Sequence, residues 1–66
     1  MSDENEPLTL EPGMYGHVGV VLCAVTKGGQ VSVAGDVADI DDGGSQRFAR
    51  ARITATRTGN SYQFTK

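Results

Sequence analysis

Apolar residues recur along this chain with the spacing of strands, and no window shows the three-to-four spacing of an amphipathic helix. The only continuous apolar run is Val18–Val25, which reads Val-Gly-Val-Val-Leu-Cys-Ala-Val. It is rich in β-branched residues and too short for an ordinary helix. It therefore predicts a strand from Tyr15 to Val25 that is buried on both faces. Gly28-Gly29 follows, a pair able to take positive φ without a Cβ clash, and predicts a two-residue hairpin turn.

With that turn, Thr26 faces Val31, Ala24 faces Val33 and Leu22 faces Gly35 on one side of the sheet. Val25/Ser32, Cys23/Ala34 and Val21/Asp36 pair on the other. The second side carries Val21, Cys23, Val25, Ala34 and Ala38, more apolar surface than one small chain is expected to cover. It predicts a homo-oligomer, a dimer, packed through these five residues.

A second hairpin is written into residues 46–66. Gln46 to Arg57 alternates, with Arg47, Ala49, Ala51, Ile53, Ala55 and Arg57 on one face and Phe48, Arg50, Arg52, Thr54 and Thr56 on the other. A turn at Gly59-Asn60 sets Tyr62 opposite Arg57 and Phe64 opposite Ala55, so large rings cover small residues. Upstream, Leu8-Thr9-Leu10 lies between Pro7 and Pro12 and reads as a short edge strand. The sum is an all-β domain over residues 7–66: an antiparallel meander of about five strands, curled into an open sheet or a small barrel of the SH3 or OB kind. Residues 1–6, polar and acidic, read as a disordered tail.

A domain of 66 residues buries only about 60% of the surface its unfolded chain exposes. Small domains of this kind lean on disulfides, a metal or a partner. One cysteine and one histidine, Cys23 and His17, supply neither an internal disulfide nor a four-ligand zinc site. On a straight strand these two also lie about 20 Å apart, too far for a nucleophile and its base. The acidic loop from Asp39 to Ser45 puts Asp39, Asp41 and Gly44 where a calcium loop begins, but Gly43 and Arg50 stand where its later ligands belong. The reading is non-enzymatic, without metal or cofactor.

Formal net charge is −2, yet residues 45–66 hold five bases and no acid, while residues 1–44 hold all eight acids and Lys27. Phe48, Arg50 and Arg52, in line with Thr54, Thr56, Gln63 and Thr65, form the one surface with recognisable chemistry, and Arg57 on the same hairpin is a further candidate binding residue. An aromatic beside two arginines suits a protein contact. The expectation is a small interaction module, an inhibitor or adaptor that occludes a protein partner's surface. The alternative is a barrel binding single-stranded nucleic acid or a nucleotide through the same residues.

The N-terminus is acidic where a secretory leader is basic and then apolar. The apolar run is also far short of the roughly 20 residues of a membrane span. The chain is thus expected to be a complete small product in the cytoplasm with no membrane contact.

Overall fold

The computed structural model describes residues 7–66, so the expected tail at residues 1–6 lies outside the described residues. Eight strands form: β1 (Leu8–Leu10), β2 (Tyr15–Val18), β3 (Val21–Val25), β4 (Gln30–Val33), β5 (Asp36–Asp39), β6 (Ser45–Phe48), β7 (Ile53–Thr58) and β8 (Ser61–Thr65). They build two four-stranded sheets, a first in the order β2-β3-β4-β5 and a second in the order β1-β8-β7-β6. Every pairing is antiparallel.

The all-β antiparallel class is as the sequence predicts, and the strand count is higher because three of the expected long strands are each folded in two. Gly19-Val20 turns β2 into β3, with Gly19 at φ 61°. Ala34-Gly35 turns β4 into β5 with both residues at positive φ, 51° and 89°. Two consecutive positive φ values are what a type I′ hairpin turn requires. Ala49–Arg52 forms a four-residue loop between β6 and β7, ending on Arg52 at φ 58°.

The turn after β3 decides which side chains face inward. Three residues, Lys27, Gly28 and Gly29, make this loop; the Thr26 amide donates to the Gln30 carbonyl at 2.8 Å and the Gly29 amide to the Thr26 carbonyl at 2.9 Å. One more loop residue than the sequence suggests moves the register by one, and a one-residue slip exchanges the two faces. Val25 therefore pairs with Val31 and Cys23 with Val33. These four are buried, whereas Leu22 is exposed, so the apolar run is covered on one face only.

The β7–β8 hairpin forms as expected. Thr58 meets Ser61 across Gly59-Asn60, Arg57 pairs with Tyr62 and Ala55 with Phe64.

The sheets pack face to face over one core. Val18, Cys23, Val25, Val31 and Val33 enter from the first sheet, and Leu10, Phe48, Ile53, Ala55, Tyr62 and Phe64 from the second. Small residues on one side meet rings on the other, which fills a thin core without voids. Because each strand reverses direction, the turns collect at two ends. One end carries Gly19-Val20, Ala34-Gly35, the Ala49–Arg52 loop and Lys66. The other carries the Glu11–Met14 connection, the Lys27–Gly29 turn, the Ile40–Gly44 crossing and Gly59-Asn60.

Ala34 occupies a backbone region that costs L-residues about 1–2 kcal/mol. Ala34→Asn, which suits the first position of this turn, is expected to raise stability by up to about 1 kcal/mol. The check is a higher urea midpoint with an unchanged m-value; a lower midpoint contradicts the turn.

Candidate functional site

The five residues expected to form one binding surface do not converge. Phe48 is the clearest correction: it ends β6 with its ring in the core, 5% exposed, because the chain turns directly after it. It offers no stacking platform. Arg50 and Arg52 lie in the loop that follows, where Arg50 Nη1 reaches Asp36 Oδ1 at 3.5 Å with its side chain 83% exposed. A bridge this exposed contributes little. Gln63 sits on the outer face of the second sheet, between Thr9 and Thr56.

Arg57 is at the opposite end of the molecule and has a structural task. Its Nε donates to the Gly59 carbonyl at 2.8 Å and its Nη1 to the Ile40 carbonyl at 2.9 Å. The guanidinium also lies over the Tyr62 ring, 5.6 Å from the centroid. Around it, the Gly59 amide donates to Asp42 Oδ1 at 2.7 Å. The Gly43 amide donates to the Arg57 carbonyl at 2.9 Å, and the Tyr62 hydroxyl reaches the Gly29 carbonyl at 3.4 Å. Arg57 thus ties the acidic crossing to the β7–β8 turn, and Tyr62 ties the second sheet to a turn of the first. Asp42 is spent on this knot; among the described residues no cluster of His, Cys, Asp or Glu is arranged to hold a metal.

The residues expected at a dimer interface are covered by the chain's own second sheet. Cys23 and Val25 are core, Val21 and Ala38 are half-buried against it, and Ala34 is an exposed turn residue. Burial pushes the Cys23 thiol above its ordinary value of 9.0, with a backbone hydrogen bond pulling weakly the other way.

A different surface emerges from the register. On the outer face of the first sheet, Tyr15, Ala24, Ser32 and Val37 form a row across all four strands, with His17 and Leu22 paired beside it. Tyr15 is 73% exposed, Val37 60% and Leu22 48%. Met14 and Val20, also exposed, lie in the connections on either side of β2. These five are the large apolar side chains that the described residues leave in solvent.

The outer face of the second sheet is polar instead. Thr9, Gln63, Thr56 and Ser45 make one row and Arg47, Thr54 and Thr65 the next. Sequence alternation alone hides this contrast, because the one-residue slip turns Leu22 from a core position into a surface one. No family model, curated protein or solved structure matches the chain.

Arg57→Lys keeps the charge but not the fork that spans two carbonyls. It is expected to cost about 2–3 kcal/mol, read as a lower urea midpoint, and a neutral result contradicts the tie. The raised thiol value gives a second expectation. An unfolded chain loses the Cys23 proton before the native one does, so this contribution to stability is complete below pH 9 and falls as pH climbs through the native value. A midpoint that is level from pH 7 to 8.5 and declines above 9, with the decline reduced in Cys23→Ala, checks the sign.

Proposed function

We propose that this chain is a non-enzymatic binding protein that contacts a protein partner through the outer face of its first sheet. The observation that supports this is the segregation of exposed apolar side chains: Met14, Tyr15, Val20, Leu22 and Val37 all lie on that sheet or its connections, opposite a threonine-rich polar face. Apolar surface gathered on one side of a small domain marks interaction sites more often than scattered residues do. Tyrosine is among the residues that interfaces favour.

Size and charge narrow the partner. Four strands about 4.8 Å apart and about four residues long at about 3.3 Å give a face on the order of 250 Å² in plan. That is well below the roughly 800 Å² per partner of a standard interface. It fits a short segment better than a broad surface.

The charges on its edge and connections are mostly acidic: Glu11, Asp39 and Asp41 stand against Lys27, while Asp36 is bridged by Arg50 and Asp42 is held by the Gly59 amide. A segment with apolar side chains and flanking lysines or arginines complements this rim, whereas two copies face to face would bring like charges together. Binding such a segment would let the chain occlude a partner's own contact site, as an inhibitor or adaptor does.

A second reading has its own observation. Arg50, Arg52 and Lys66 share one end of the sandwich with Asp36 as the acid there. That end suits phosphate groups by charge alone, since Phe48 is buried, and it predicts weak, salt-sensitive binding of single strands without base preference.

The two readings separate in one set of variants. Leu22→Ser/Val37→Ser is expected to weaken capture of a specific protein partner at least roughly tenfold, on the scale of two lost apolar contacts. Its melting temperature should change little, because both side chains are exposed. Arg50→Glu/Arg52→Glu should leave capture intact. Loss of capture in the arginine variant, with salt-dependent anisotropy of labelled single-stranded DNA in the parent chain, supports the second reading and contradicts the first.

A further inference from the structure

The two sheets repeat one plan. In the first, Val18 closes the first strand, Cys23 and Val25 fill the second, and Val31 and Val33 fill the third. In the second, Phe48, then Ile53 and Ala55, then Tyr62 and Phe64 stand at the places of Val18, then Val21 and Cys23, then Val31 and Val33, with Arg57 at the place of Val25. A fourth strand completes each sheet. In the first it is β5, joined to β4 by two residues; in the second it is β1, from the far end of the chain. Of the six paired neighbours, β1 and β8 are the pair that no turn connects.

The place that β1 fills is shaped for it. Leu8 stands opposite Phe64 and Leu10 opposite Tyr62. Leu10 is 2% exposed, and Leu8 packs over Gly16, where an added Cβ would come to 3.0 Å of the leucine Cδ1. If β1 leaves, two rings and the backbone edge of β8 are uncovered, so the place has to be refilled. What holds β1 to its own copy is the Glu11–Met14 connection, a tight turn with Gly13 at φ 90°, closed by the Met14 amide on the Glu11 carbonyl at 3.0 Å.

We propose that this place is an exchange site, in which β1 of one copy adds to β8 of a second copy and the second returns its own. The exchanged dimer makes the same core contacts as the closed monomer, so the balance is set by strain in the Glu11–Met14 hinge and by concentration. It gives a 66-residue domain a dimer without an apolar outer interface. The partner is a second copy because its Leu-Thr-Leu segment carries the two leucines that this place fits.

Thr9 and Gln63 face each other across the pair on the outer side, and they supply the test. Thr9→Cys and Gln63→Cys chains are mixed at high concentration, warmed through unfolding, cooled and oxidised. Exchange predicts that the mixed disulfide between the two variants dominates the covalent dimers, with little dimer from either variant alone. All three pairings in random proportion, or none while Thr9→Cys/Gln63→Cys closes within one chain, overturns the proposal.

Deletion of Pro12 and Gly13 gives an independent reading, since a hinge too short to fold back leaves exchange as the way to fill the site. Light scattering should then show a dimer. A folded monomer overturns the proposal.

Discussion

Neither sheet of this domain has a core of its own; each needs the other to cover its inner face. Four small residues in the middle of the first sheet, Cys23, Val25, Val31 and Val33, leave the space that Tyr62 and Phe64 fill from the second. Strand geometry makes that match all-or-none. Side chains alternate with period two, so one residue of slip in the β3–β4 hairpin would put Leu22 and Ala24 on the face of Val31 and Val33 and turn Cys23 and Val25 away from it. The three-residue turn at Lys27–Gly29 and the two-residue turn at Gly59-Asn60 are therefore as consequential as any packing contact. Tyr62 joins the two conditions: its ring is core and its hydroxyl reaches the Gly29 carbonyl of the turn that sets the opposite register.

The same alternation shapes the outside. Once the valines of the first sheet point inward, Tyr15, Leu22 and Val37 have only the solvent face to occupy. Charge follows the chain. Among the described residues the acids flank the first sheet, while every base but Lys27 falls on the second sheet and its turns, with Arg57 drawn inward to hold the acidic crossing. The uneven charge distribution thus has a structural use at Arg57 and a proposed recognition use at the rim of the apolar face.

How much of this was legible depended on whether a feature is local. The β7–β8 hairpin could be read because Gly59-Asn60 signals its turn and the aromatics then fall over Ala55. Gly28-Gly29 misleads because a Gly-Gly pair fits both a two-residue loop and the end of a three-residue one, and only the packing of the second sheet chooses between them. The turns at Ala34 and Arg52 carried no signal at all, since alanine and arginine seldom take positive φ.

The role of Arg57 was hidden for a different reason: the carbonyls of Ile40 and Gly59 are backbone groups that any residue would supply. The twofold plan is silent in the sequence because the sheets share strand order and pairing and not residue types. The apolar outer face, on which the proposed contact rests, could not be seen until the register was known.

A photoreactive benzophenone residue in place of Tyr15, and separately in place of Gln63, tests the contact through the first sheet most directly when the full chain is irradiated in lysate of its source cells. The expected result is a discrete adduct of one partner from the Tyr15 position, carrying an apolar segment flanked by basic residues at the cross-linked site, and none from the Gln63 position. Adducts from the Gln63 position with none from the Tyr15 position would contradict it and move the contact to the polar face.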